Sequence, residues 1–419
     1  MDPLSAISVV ERRNFRLHVA EGILFIGSST FISLQTTLPL LIRTLGGSNV
    51  VIGALPVVSF MALFLPQIIS AHYLSRFRFR KQFVLVGGLM HRFLLPAIGV
   101  CLLIIGTRRP SAALFFFFVL LGFNQILIGI TTPAWYDFVA KTVDPAKRGR
   151  LMGIRSSLGA GLAFANGFVL VFLLSRLRYP ANFASIFGAA FAFQFASYLV
   201  QRRVDERNES AVSTRLSLGE FIRSLPPFLE RNRTLRQFLF ASTFLLVGLV
   251  PMGFFLVAAF ARFHPPDSYV GYLTAAAVGS QVVLGALVGF VADRWGSKAS
   301  LLCSASLFAC ATVVALFSTS IFSYVIVFIL IGANISAEML IRYNFAADCS
   351  TPEDRPVSIG IMNFWLAPLY LVYILAGWWS DAHGYASLFG VCLVFSIVGI
   401  VLLARVPDPR KLRLALSSK

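Results

Sequence analysis

Charge all but disappears from this chain for stretches of about twenty residues at a time, which is the length a helix needs to cross the hydrocarbon of a bilayer. Cutting the sequence at charged and Pro/Gly breaks gives twelve such stretches, at roughly 17–42, 49–74, 82–105, 112–140, 151–175, 183–201, 235–262, 269–292, 299–319, 322–347, 357–379 and 386–404. The shallowest cuts are a short Ser-Thr break near Ser318–Ser320 and the segment Ser380–Tyr385. With 57% apolar residues, 13% charged and a mean hydropathy of +0.79, the chain has too little polar surface for a water-soluble domain, so lipid is the solvent for most of it.

The chain also repeats itself. Tyr136-Asp137-Phe138, Ala140, Pro145, Arg148 and Gly153-Ile154 recur at one constant offset as Tyr343-Asn344-Phe345, Ala347, Pro352, Arg355 and Gly360-Ile361. At a second offset Gly53, Leu55, Arg76 and Arg80 match Gly271, Leu273, Arg294 and Lys298. A tandem repeat in a chain this apolar points to a two-lobed transporter with its site between the lobes. The one long polar connection, Arg202 to Arg233, divides the stretches six and six. It contains an amphipathic run from Leu216 to Leu229, broken at Pro226-Pro227, that reads as a short helix on the inner surface. The expected organisation is an all-α membrane protein: a six-helix lobe over 1–201, a cytosolic linker over 202–234, a second six-helix lobe over 235–404 and a basic cytosolic tail over 405–419.

The net charge of +18 suggests nucleic acid only until its placement is read. With the N-terminus inside, most of the 36 Lys and Arg residues fall in cytosolic segments, the positive-inside pattern of a polytopic protein with both termini in the cytosol. Anionic lipid is then the partner for those charges. The five cysteines, five histidines and seven methionines show no ligand spacing, so neither a metal nor a disulfide framework is expected. No phosphate-binding loop, Gly-x-Ser-x-Gly or His-Glu-x-x-His is present, and neither ATP drive, enzymatic chemistry nor a cofactor is expected. The first stretch is too long and too polar for a cleavable signal.

The segment Gly289-Phe-Val-Ala-Asp293-Arg294-Trp-Gly296-Ser-Lys298 resembles the G-x-x-A-D-R-x-G-x-K/R motif of the major facilitator superfamily, here between stretches eight and nine. The Pro-x-x-Arg phrases after stretches four and ten resemble that family's loop pattern, and the resemblance covers essentially the whole chain. The first-half copy departs from the motif: Ser75 stands at the Asp position and Arg78 at the Gly position. No Gly-Pro pair marks stretch five and no Arg accompanies Asn124 and Gln125 in stretch four, so a drug/proton antiporter motif is lacking. The resemblance implies a monomer with two lobes of six helices related by a pseudo-two-fold axis, working as a secondary transporter. It further implies that Asp293 latches the cytosolic side, accepting from free N–H groups near Gly149 at the start of helix five. Arg294, Lys298 and Arg355 would orient that carboxylate or bind headgroups, with Gly289, Gly296 and Arg148 in the same gating set; otherwise these are residues of a plain cytosolic turn.

Ionisable residues inside a membrane are costly and each needs a reason. Asn334, Glu338 and Arg342 lie four apart on one helical face of stretch ten. Glu338 four residues before Arg342 is the favourable order for an ion pair. The pair reads either as a substrate and proton-coupling site or as a permanent structural pair. Glu21 is expected to pair with Arg92 or Arg155, and Arg92 with Glu21 or Asp137. Gln35, Asn124, Gln125, Asn363, Trp365 and Tyr370 add amide, hydroxyl and aromatic groups on the family's cavity-lining helices, each a contact for a partly apolar solute or glue between helices. The expected function is proton-coupled transport of a small organic solute across the cytoplasmic membrane by alternating access, with export slightly favoured. Uptake of a polar or anionic metabolite, or a non-transporting receptor or assembly factor on the same fold, are the alternatives.

Overall fold

A computed structural model of the chain describes residues 3–74, 79–206, 226–350 and 354–409. The described residues are helices and short connections, as hydrocarbon demands, since a helix satisfies its own backbone groups without water. The first half contains α1 (Pro3–Gly27), a 3-10 turn (Ser28–Thr30), α2 (Thr37–Thr44), α3 (Asn49–Leu74), α4 (Lys81–Ile105), α5 (Pro110–Thr142), α6 (Pro145–Arg176) and α7 (Ala181–Gln201). The second contains α8 (Arg233–Gly248), α9 (Phe255–Phe263), α10 (Tyr269–Trp295), α11 (Ser297–Leu316), α12 (Ile321–Asp348), α13 (Arg355–Leu366) and α14 (Val372–Arg405). Most of the amphipathic run Leu216–Leu229, the tail beyond 409, Pro352 and the first-half motif residues Ser75, Arg76 and Arg78 lie outside the described residues.

Nine segments among the described residues are long and apolar enough to cross a membrane. The first stretch carries charges in α1 and is interrupted between Ser28 and Thr36. At stretch ten the count covers only the apolar run Ile321–Gly332, because several side chains after it lie outside the described ones. The last two stretches run together over Val357–Arg405, and the break falls at Gly384 (φ 79°), inside the segment Ser380–Tyr385 where the sequence places it.

Local signals set the helix ends. Asp144 caps α6 by accepting from Ala146 N at 3.0 Å, with Pro145 at the first helical position. That hydrogen bond, helped by Lys147, holds the Asp144 carboxyl below its ordinary range. Gly296 turns between α10 and α11 at φ 90° and ψ 166°, a region open essentially to glycine alone, which explains the motif's second Gly. Lys298 Nζ donates to the carbonyls of Ala404 and Val406 at 2.7 and 2.6 Å, closing the C-terminus of α14. Arg80, its repeat counterpart, ties its own lobe to the chain leaving α7: its backbone N–H reaches Glu206, which also accepts from Lys81 N and Lys141 Nζ.

Within the lobes the closest packing is α4 and α3 on α5, α1 on α6, and α10 and α11 on α12; between the lobes it is α6 on α10 and α3 on α14. The repeat is visible in these contacts. Gly53 and Gly271, one pair of the second offset, each sit where a helix meets the opposite lobe: a Cβ on Gly53 would strike Tyr373 O, and one on Gly271 would lie 2.7 Å from Gly167 O. Phe138 and Phe345, and Leu55 and Leu273, are likewise buried in both halves. The lobes are further joined at this end by Arg43–Tyr385 (3.2 Å), Tyr385–Asn49 (2.7 Å), Asn49–Asp381 (2.7 Å) and Thr274–Thr36 (2.7 Å). Toward the other end, a Cβ on Gly149, Gly153 or Gly289 would meet open space. The interlobe contacts thus join the lobes at the end that carries the α2–α3 and α9–α10 connections.

Candidate functional site

A cavity of about 170 Å³ lies between the lobes. The first half contributes Gln35 beside α2 and Pro56, Phe60 and Phe64 from α3; the second contributes Met252, Asn334, Arg342, Tyr343, Asn363 and Tyr370. Aromatic rings build one wall. Phe60 stacks on Phe64 (5.9 Å between centroids) and, across the lobes, on Tyr370 (4.5 Å), which stacks in turn on Tyr373 (6.1 Å). Polar atoms are few and fixed. Gln35 Oε1 accepts from Ser33 at 3.2 Å and its amide lies 3.9 Å from Met252 Sδ. Asn363 Oδ1 accepts from Tyr343 OH at 3.1 Å. Asn334 donates to Ser304 at 3.0 Å, while its Oδ1 is buried with no hydrogen-bond partner. Arg342, 7% exposed, brings a guanidinium to the same cavity. This is a concave, mainly apolar site with a few oriented polar groups, the form that binds a small organic molecule.

The structure thus brings together Gln35, Asn334, Arg342, Asn363 and Tyr370 of the sequence candidates. Glu338 lies on α12 between Asn334 and Arg342; its side chain is outside the described ones. Asn124 does not line the cavity: its amide donates to His91 O at 2.7 Å, tying α5 to α4 inside the first lobe. Trp365 turns away and donates to Thr243 at 3.0 Å. Gln125, half-buried on the same helix as Asn124, is also outside the lining. The sequence reading missed Phe60, Phe64, Met252 and Tyr343. Tyr343 alone had a signal, its place in the repeated phrase.

Of the motif residues, Asp293 is exposed and Arg294 lies over the Trp295 ring (5.5 Å). Arg355 is exposed at the start of α13. Arg148 folds back onto the last carbonyls of α5, donating to Val143 O at 3.2 Å and to Ala140 O. Among the buried charges, Glu21 meets Arg155 at 3.3 Å. Asp137 pairs with Arg80 at 2.7 Å and Lys141 at 3.7 Å. Arg92 forms neither expected ion pair; its Nε donates to Gln194 O at 2.7 Å and its guanidinium sits 5.7 Å from the Phe25 and Tyr198 rings. The physical reason is position: Arg80 reaches Asp137 first, and Arg155 takes the Glu21 carboxylate. Among the described residues no group of three or more His, Cys, Asp or Glu side chains is placed to hold a metal.

The family model for the Major Facilitator Superfamily matches residues 252–419. No curated protein sequence matches the chain. Among solved structures, the chain is similar to a D-xylose-proton symporter (13% identity, TM-score 0.70), covering 95% of this chain and 98% of that one. It is also similar to the nucleoside transporter NupG (14%, 0.67) and to a bacterial homologue of the iron transporter ferroportin in an inward-facing state (12%, 0.67), each over 94% of this chain and 98% of the other. At such identities the likeness speaks for the fold. This is a multi-pass membrane protein with the Major Facilitator Superfamily fold across both lobes, and from residue 252 onward its sequence is recognised by that family's own model.

Proposed function

We propose that this chain is a secondary transporter that moves a small, partly apolar organic solute through the cavity between its lobes by alternating access. The observation that carries the reading is the cavity itself: both lobes line it, and contacts between the lobes close one end of the molecule. With the N-terminus in the cytosol, as the charge distribution favours, the sealed end is external and the conformation faces inward. Solved structures of the same fold carry the names of nucleoside, D-xylose-proton and fucose-proton transporters, which supports a solute with several hydrogen-bonding groups. The aromatic wall favours an amphipathic solute and export. Arg342 in the same cavity supports the second reading, uptake of a polar or anionic metabolite.

Protons drive the cycle in this proposal, and Glu338 is the titrating group. Its place in the sequence, one turn before Arg342 in an apolar stretch, supports that role: a carboxylate near a cation changes its proton affinity when that neighbour is displaced. The test uses purified protein in liposomes with radiolabelled neutral, cationic and anionic solutes. Counterflow of one class against an unlabelled excess establishes transport, and binding without counterflow identifies a receptor instead. For the transported solute, Glu338→Gln should keep counterflow and lose accumulation driven by a pH gradient. Unchanged gradient-driven accumulation would end the assignment of Glu338.

A further inference from the structure

Residues of the first lobe line a second cavity of about 210 Å³. Its polar lining includes Glu21 on α1, His91 and Arg92 on α4, Trp135 on α5, Arg155 on α6 and Gln201 on α7. The two guanidiniums are seated deliberately. A Cβ on Gly22 would collide with the Arg155 side chain, and one on Gly88 would lie 2.8 Å from Arg92 Nη1. Arg155 stacks over the Trp135 ring at 4.4 Å.

The charges do not balance. Glu21 is the one carboxylate in the lining and is in ion-pair contact with Arg155, while Arg92 is held by the carbonyls of Gln194 and Gly88. Glu21, His91, Arg92 and Arg155 are each no more than 6% exposed. A buried site with two cations and one anion carries an uncompensated positive charge, which is costly unless something neutralises it. Hydrogen bonding is unfinished as well. Arg155 Nη1 has no partner. His91 Nε2 lies 3.2 Å from Arg92 Nη1, which can only donate, so Nε2 accepts and the neutral ring carries its proton on Nδ1. That Nδ1 has no partner either, nor has Gln201 Oε1. Water would satisfy these atoms but would leave the charge.

We infer that this cavity is a binding site for a small organic monocarboxylate. Its two oxygens accept from Arg155 Nη1 and His91 Nδ1, its charge offsets the excess of Arg92 and Arg155, and a hydroxyl on the same molecule donates to Gln201 Oε1. The inference stands apart from the transport reading of the cavity between the lobes, because it uses none of that cavity's residues.

The test is calorimetric titration of the purified full chain in detergent with sodium lactate, sodium propionate and sodium chloride at constant ionic strength. Both carboxylates should bind saturably, lactate more tightly than propionate. Glu21→Gln removes the internal competitor and should tighten both by about tenfold or more, whereas Arg155→Gln should weaken them by at least as much. A residue that only holds the lobe together would produce no tightening. Should Arg155→Gln fail to fold, His91→Phe removes the second donor and should weaken binding. No saturable carboxylate binding in the wild type or in Glu21→Gln would overturn the site. Chloride binding as tightly as the carboxylates would overturn the organic acid as its ligand.

Discussion

Phe60 and Tyr370 show how a single side chain can read the state of the whole protein, since they belong to different lobes and stack 4.5 Å apart. Phe60→Ala should weaken binding of the transported solute by about tenfold, the worth of one aromatic contact with its buried area. Tyr370→Phe keeps the ring and should change binding far less; solute affinities of the two variants check the contrast. Such a wall was illegible in a sequence with 41 phenylalanines. The polar positions were easier to read because a buried amide must find a partner. The same rule explains the misplacements: Asn124 and Trp365 satisfied their need on a neighbouring helix, and nothing in a linear pattern separates glue from ligand contact. The buried Glu21–Arg155 pair gives a stability prediction. Arg155→Ala strands a buried carboxylate and should destabilise the protein by about 3–5 kcal/mol, whereas the Glu21→Gln/Arg155→Gln double variant should cost less than Arg155→Ala alone. Thermal unfolding of the variants in one detergent decides between them.

Helices and turns were the most legible level, because apolar length and the period of the repeat act on a whole segment. The cuts at Ser318–Ser320 and Ser380–Tyr385 fall where α11 gives way to α12 and where α14 breaks. Helical content across the last break was not readable, because Gly384 turns the chain in one residue without the usual loop. Gly296 and Gly384 both hold φ near 80–90° with ψ near 165°, where a Cβ is strained. Gly296→Ala and Gly384→Ala should each cost on the order of 1–3 kcal/mol. The signs of use differ, however. Gly296 anchors the motif loop, so its substitution should also slow exchange between conformations, while Gly384 lies at the sealed end. Unfolding temperature measured beside solute counterflow rate separates the two effects.

At the scale of the whole molecule the question is what holds one end shut. Apolar contact through Gly53, Gly167, Gly271 and Gly377 allows the lobes to approach, but glycine packing is only permissive. Direction comes from the polar set Arg43, Tyr385, Asn49 and Asp381, which ties the α2–α3 connection to α14. The Asn49–Asp381 bond joins an amide to a carboxylate, and a hydrogen bond to a charged group contributes about 1.5–3 kcal/mol net. Since each 1.4 kcal/mol is a factor of about ten in an equilibrium, losing it should shift the balance between the two conformations by roughly ten- to a hundredfold. Spin labels at Ser48 and His383, both exposed and on opposite lobes, report the sealed end; labels at Arg150 and Arg294 report the other. In the wild type the first pair should show one short, narrow distance. In Asn49→Ala or Asp381→Ala a longer component should grow there while the Arg150–Arg294 distance shortens, because rigid lobes that part at one end must close at the other. Lengthening at the first pair with no change at the second would mean local fraying of the α2–α3 connection, and the polar set would then be a surface contact with no part in the rocking of the lobes.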